Sequence, residues 1–369
     1  MERGEIQKEI VDRIPPKPHG LIQLAPRVGK TKIAIDILKR EKPKKVLWVT
    51  LNTKLRDKDI PEEFLKWRAK GLLTNTDILC YPSLKKVKGH YDIIILDEYQ
   101  DLTPQNAKTL LSGELTYGSI LGLSGTHPKH QEKNDLYDSL KLDALVSMSI
   151  DDAVELGLIA PYNIKVVLLP LDDKVKYIKS GKTGKTFYQT ERQKYTYFNK
   201  VLGKYEQEFQ YPPASFYMNR MKFIYQLESK HQYTKQILKK MQGRTLVFTS
   251  SIQRAEELSK HTHHSKKAKN DDTMKKFIEG EIPTLACVNA GGIGFTYRGV
   301  DNFIITQVNS DTKGDATQKI ARSLVKQDNY VANIYLIVSA DTVDEQWKDK
   351  VLQNFNPSRV EYINFKDLL

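Results

Sequence analysis

Asp92-Ile93-Ile94-Ile95-Leu96-Asp97-Glu98-Tyr99-Gln100 decides the fold: four consecutive apolar side chains run straight into two adjacent carboxylates. An apolar run without polar alternation is how a strand buried on both faces reads, and such strands belong to parallel sheets covered by helices. Acids at the carboxyl end of that strand stand where open α/β sheets bind their ligands. Taken alone, Asp97-Glu98 could equally open an ordinary loop, so the reading depends on the rest of the chain.

Upstream, the apolar run Leu21–Ala25 leads into Pro26-Arg27-Val28-Gly29-Lys30-Thr31-Lys32, after which Ile33, Ala34, Ile37 and Leu38 recur at helical spacing. Strand, loop and helix in that order form the context of a phosphate-binding loop, whose backbone N–H groups and helix start face an anion. Lys30 would reach the terminal phosphates of ATP and Thr31 would ligate Mg2+, with Pro26, Arg27, Val28, Gly29 and Lys32 completing the loop. Asp97 would share the magnesium, and Glu98 would orient or deprotonate the attacking water. Leu24 stands where the strict G-x-x-x-x-G-K-[ST] pattern has its first glycine, and Arg27 fills a position usually held by a small residue. The pairing of Gly29-Lys30-Thr31 with a strand-terminal Asp-Glu gives weight to two fragments that are each weak alone.

The chain has 369 residues, 40% of them hydrophobic, enough for about two domains with cores of their own. Lysine and arginine number 58 against 45 acids, a net charge of +13 and a pI near 9.3, which favours a polyanionic partner. The two cysteines, Cys80 and Cys287, lie in distant apolar runs and read as reduced core residues, neither a disulfide nor a zinc site. No stretch approaches the roughly 18 apolar residues of a membrane span, and the first residues lack a signal peptide's apolar core. A soluble, cytoplasmic protein with no membrane partner is expected.

Further apolar runs at Val46–Thr50, Asp77–Tyr81 and Ser119–Ser124 alternate with helical or loop patterns, predicting a parallel α/β lobe over residues 1–160. Ser149 caps a helix that stops near Gly157 and Pro161, and Tyr162–Leu169 reads as a strand leading out of that lobe. Residues 161–242 then change character: lysines and tyrosines are dense, Pro212-Pro213 interrupts, and helical periodicity returns over Phe223–Leu238. We read this stretch as a linking, partly helical accessory segment. The α/β pattern resumes over 243–369, with strands expected at Thr245–Ser250, Thr284–Val288, Asn302–Gln307, Asn333–Val338 and Val360–Asn364.

These motifs and their order resemble those of superfamily 2 helicases and translocases, in particular the compact kind common in bacteriophages. The resemblance implies two RecA-like P-loop NTPase lobes. It further implies that Gln7, upstream of the phosphate loop, reads adenine, and that Asp97-Glu98-Tyr99-Gln100 is the DEAD/DEAH-like box. Ser124-Gly125-Thr126 is similar to the motif that, with Gln100, couples nucleotide state to nucleic-acid grip. In the second lobe Phe248-Thr249-Ser250-Ser251 resembles a phosphate-contacting motif, and Gly291-Gly292-Ile293-Gly294-Phe295-Thr296 is similar to a segment of the chromatin-remodeller branch. Gly294 would then contribute to the nucleotide site. Gln318 to Val325 resembles Gln-x-x-Gly-Arg-x-x-Arg, which makes Gln318 and Arg322 the catalytic pair of the second motif set. Ala321 replaces that motif's glycine and Val325 its second arginine.

By the same resemblance Thr50, Asn52, Tyr81, Ser83, Ser250, Ser251, Asn289 and Gly291 are candidate nucleic-acid contacts. The implied activity is an ATP- and Mg2+-dependent helicase that translocates on DNA, single-stranded or branched, and unwinds or remodels it. It would act as a monomer beside other replication or recombination proteins, in the host cytoplasm if phage-encoded. The rival readings are an RNA helicase, a duplex translocase or annealing ATPase that separates no strands, and a non-catalytic nucleic-acid binder. Three features invite function without the context for it. Gly181-Lys182-Thr183-Gly184-Lys185-Thr186 mimics a phosphate loop but reads as a basic turn. His261, His263 and His264 read as part of a solvated loop rather than a metal site. Tyr188, Tyr195 and Tyr197 suit base stacking, though tyrosines so spaced more often pack a small domain.

Overall fold

The computed structural model describes residues 2–125, 131–180, 186–208, 211–266, 272–288, 297–308 and 315–368. The chain forms two compact units: Met1–Ile159 with Thr312–Arg322, and Ala160–Asp311 with Ser323–Leu369. Six parallel strands build the sheet of the first: β1 (Gly20–Leu24), β2 (Val46–Thr50), β3 (Thr76–Cys80), β4 (Gly89–Asp97), β5 (Leu115–Ser124) and β6 (Ala144–Met148). Their order is β3-β2-β4-β5-β1-β6. All five residues of β2 and Ile93–Leu96 of β4 are buried, the burial expected of strands covered on both faces. Because β5 lies between β1 and β4, the carboxyl ends of three strands are neighbours: Gln23 pairs with Ser124, and Asp97 with Leu123. That adjacency places the site.

The second unit opens with β7 (Tyr162–Leu169) and the antiparallel hairpin β8 (Val175–Ser180) and β9 (Thr186–Thr190). It continues with β10 (Thr245–Thr249), β11 (Thr262–His263), β12 (Thr284–Val288), β13 (Asn302–Ile305), β14 (Ala332–Ser339) and β15 (Val360–Asn364). Seven of these form a parallel sheet in the order β11-β12-β10-β13-β14-β7-β15. Its core holds Val167, Val247, Ala286, Ile304 and Ile337, covered on one side by Tyr233 and Ile237 of helix Glu228–Lys240. That helix is tied to helix Val343–Leu352 by a buried ion pair, Lys230 Nζ to Asp344 at 2.6 Å.

Several sequence expectations change. β7 does not bridge out of the first lobe: it pairs with β14 over its whole length and with β15 on its other edge, inside the second sheet. The helix Glu228–Lys240 likewise belongs to the second core, so the chain from Ala160 onward groups with the second lobe. What remains between them is the β8–β9 hairpin and the helices Glu191–Gln207 and Ala214–Tyr225. The hairpin was not foreseen, because its strands, VKYIKS and TFYQT, show neither strict alternation nor an uninterrupted apolar run; the basic turn, residues 181–185, lies outside the described residues. Nor were β6, a partly exposed edge strand, and β11 expected. His264, read as solvated, is buried, although no group of three metal-ligating side chains occurs among the described residues. Neither cysteine is in a disulfide, and burial pushes the Cys287 thiol up to about 12. Among the described residues no helix is long and apolar enough to cross a membrane.

Candidate nucleotide site

At the end of β1 the chain turns through Ala25–Gly29 and enters helix Lys30–Glu41. The turn needs two left-handed residues, Arg27 (φ 69) and Gly29 (φ 101). At Gly29 a side chain is doubly excluded: the backbone angle disfavours one, and an added Cβ would lie 2.2 Å from the Gln7 amide. The buried Gln7 comes from the first helix, Arg3–Arg13, and donates Nε2–H to the Val28 carbonyl at 2.7 Å. The structure therefore gives Gln7 a bracing contact with the loop itself. Lys30 reaches back along the strand end, 3.5 Å from the Leu24 carbonyl, and Gly125 leaves room for it. A Cβ at Gly125 would stand 3.1 Å from Lys30 Nζ and 2.9 Å from Pro26 Cγ.

Asp97 is the last residue of β4, and Glu98 follows it in a left-handed conformation (φ 53, ψ 57) that turns the chain into the short helix Tyr99–Asp101. Burial first, and then the neighbouring Glu98, push the Asp97 carboxyl up to about 7, while the Lys30 ammonium and the Trp48 indole pull it down. A half-buried carboxylate beside a second acid suits a divalent cation, and the Thr31 hydroxyl supplies a second oxygen one residue beyond Lys30. The residues present therefore fit ATP and magnesium.

Glu98 has a partner that the sequence did not reveal. Gln100, buried, donates Nε2–H to Glu98 Oε2 at 2.7 Å, while its own Oε1 is buried without a donor among the described residues. Next to it Tyr99 is fully buried, bonded to the Gln23 side chain and edge-on to Tyr137. Gly122 is needed here, since a Cβ would come within 3.0 Å of the Tyr99 ring. Ser124 and Gly125 end β5 beside the loop; Thr126 lies outside the described residues.

The candidate nucleic-acid contacts divide into struts and surface groups. Thr50 is fully buried with no partner for its hydroxyl among the described residues, and Asn52 Oδ1 accepts the Leu55 N–H, capping the next helical segment. Tyr81 is buried and donates its hydroxyl to the Asp97 carbonyl at 3.1 Å, and burial raises its pKa well above the usual phenol range. Ser83 is exposed on the turn after β3. In the second lobe Ser250 donates to the Tyr225 carbonyl and Ser251 caps helix Ile252–Leu258. Asn289, Gly291 and Gly294 lie outside the described residues. Gln318 and Arg322 sit half-buried on helix Asp315–Ser323, with Ala321 and Val325 in the core. The segment Thr312–Arg322 groups with the first unit, the one that holds Lys30 and Asp97.

Residues 229–324 match the family model of the helicase conserved C-terminal domain. No curated protein sequence matches the chain. Among solved structures the chain is similar to the ATP-dependent Type ISP restriction-modification enzyme LlaBIII bound to DNA, with TM-score 0.62 and 11% identity. That match covers 98% of this chain and 31% of that one, so the chain spans about a third of the enzyme's length. The Pyrococcus furiosus Hef helicase domain gives TM-score 0.57 at 12% identity, covering 94% of this chain and 96% of that one. Dbp5 of S. cerevisiae, bound to RNA and ADP BeF3, gives 0.55 at 12%, covering 98% and 90%. The chain therefore shares the fold of these structures, two parallel-sheet α/β lobes, and residues 229–324 match the helicase conserved C-terminal domain.

Proposed function

We propose that this chain is a nucleic-acid-stimulated ATPase that translocates along DNA and unwinds or remodels it. The observation that carries the reading is the convergence of three strand ends, which brings the Gly29–Thr31 loop, the half-buried Asp97 and the Gln100-held Glu98 together in one lobe. The loop's backbone N–H groups and the Lys30 ammonium would bind the phosphate oxygens of ATP. Magnesium, held by Thr31 and Asp97, would supply charge neutralisation on the same oxygens. Glu98 would orient a water in line with the γ-phosphorus and accept its proton as the bond to ADP breaks. Arg322 takes the arginine-finger role by resemblance, with Gln318 beside it, and an arginine finger is worth about 10³–10⁵ in rate.

DNA is the preferred track because the similar structure with the highest TM-score of the three is bound to DNA, and RNA enters as an arm of the test. ATP hydrolysis is measured with no nucleic acid, single-stranded DNA, duplex DNA, forked DNA and RNA, beside Glu98→Gln. Stimulation by single-stranded or forked DNA is expected, abolished in Glu98→Gln. If no nucleic acid lifts the wild-type rate above that of the variant, the motor reading fails.

A further inference from the structure

The insert after β7 has a core of its own. Tyr195, Phe198, Phe223 and Ile224 pack together, and Val343 and Trp347 of helix Val343–Leu352 close against them, which anchors the insert to the second lobe. With that core complete, the aromatic residues left outside stand out. Six aromatic side chains are largely exposed among the described residues, and five belong to this insert: Phe187, Tyr188, Tyr197, Tyr211 and Tyr217, between 44% and 98% exposed. Scattered exposed apolar groups need no explanation, but a concentration on one small element marks an interaction surface.

The charge of the insert names the partner. Residues 172–226 hold eleven lysines and arginines against five acids, a net +6 of the chain's +13. Three of those acids are engaged within the second lobe. Glu191 is fully buried, accepting the backbone N–H groups of Asp172 and Ser229; Asp172 pairs with Lys176 at 3.2 Å and Asp173 with Arg192 at 3.0 Å. Lys174, Lys200, Lys204 and Lys222 are exposed on the same insert. Rings interleaved with ammonium groups are what an unpaired strand requires, since bases stack on the rings while phosphates meet the cations. A duplex keeps its bases stacked inside and offers the rings nothing.

We propose that the surface of this insert, where Tyr188 and Tyr197 are exposed, binds single-stranded DNA by stacking its bases. The inference deepens the motor reading and rests on it. The test measures anisotropy of labelled oligo-dT with the full chain, comparing wild type, Tyr188→Ala/Tyr197→Ala and Tyr188→Phe/Tyr197→Phe. The alanine variant should bind about tenfold or more weakly, the size expected for losing base stacking on aromatic side chains. The phenylalanine variant should bind like wild type, duplex binding should change little, and hydrolysis without DNA should be unaltered. Equal oligo-dT affinity in the alanine variant, an equal loss in the phenylalanine variant or an equal loss on duplex would overturn the stacking surface. Tighter wild-type binding to oligo-rU than to oligo-dT would overturn DNA as the occupant. Failure of the wild-type chain to bind any nucleic acid would remove the motor reading and this surface together. Wild-type binding with an unchanged alanine variant would remove the surface alone.

Discussion

Asp97 ends its strand half-buried and beside a second carboxylate, both of which oppose its ionisation. With the carboxyl pushed up to about 7, the folded chain keeps a proton that the unfolded chain has already released. The folded state therefore binds more protons between about pH 4 and pH 7; stability falls as pH rises through that window and the full cost remains above it. Asp97→Asn should raise the first lobe's melting temperature by several degrees near pH 8 and leave it unchanged near pH 4, read by calorimetry without nucleotide. Equal melting at both pH values would show that Asp97 ionises freely. Gln100 acts on the adjacent acid. Because an ionised carboxylate only accepts, the amide nitrogen must be the atom facing Glu98, which fixes the orientation of the side chain. Gln100→Leu should lower kcat about 10²-fold with KM for ATP nearly constant, as a misplaced catalytic group does. Gln100→Glu should instead move the acid limb of the kcat–pH profile upward, since two carboxylates share the space. A wild-type profile in Gln100→Glu would show that the contact is not used in turnover.

The strand, turn and helix around Gly29-Lys30-Thr31 are legible in sequence, but what braces the turn is not. Gln7 stands 21 residues before Val28 and meets it only because the first helix packs against the loop. Resemblance makes Gln7 a reader of adenine, whereas its amide nitrogen here is engaged by the Val28 carbonyl. Gln7→Ala should then raise KM for ATP and GTP by similar factors in steady-state hydrolysis, because loop geometry and not base recognition is lost. A loss confined to ATP would restore the adenine role. The strands divide in the same way. β2 and the end of β4 were legible because burial on both faces leaves an unbroken apolar run, while β6 and the β8–β9 hairpin lie at edges where polar residues interrupt the pattern. The run Tyr162–Leu169 announced a strand but could not say which sheet takes it. Its partner β14 lies some 170 residues away in sequence, and such long-range pairing leaves no local trace. The segment 318–325 shows the same limit in reverse: where the motif it resembles has its second arginine, this chain has a buried valine, Val325.

At the scale of the molecule, the net charge of +13 was legible at once, but its distribution became meaningful only when the lysine- and tyrosine-rich stretch proved to be a packed insert with its rings outside. Charge and aromatic contacts contribute separable quantities. Each phosphate neutralised by a cation releases a counterion, so the logarithm of affinity for a single strand falls with the logarithm of salt concentration by about 0.7 per phosphate. Removing the four ammonium groups of Lys174, Lys200, Lys204 and Lys222 should flatten that slope for oligo-dT by up to about 3, with the largest loss of affinity at low salt. Removing rings takes away no charge, so Tyr188→Ala/Tyr197→Ala should lower affinity by the same factor at every salt concentration and leave the slope alone. The measurement is a salt titration of anisotropy on the wild-type chain and both variants. An unchanged slope in the lysine variant would show that these cations face solvent in the complex, and would shift the electrostatic grip to the charge carried elsewhere in the chain.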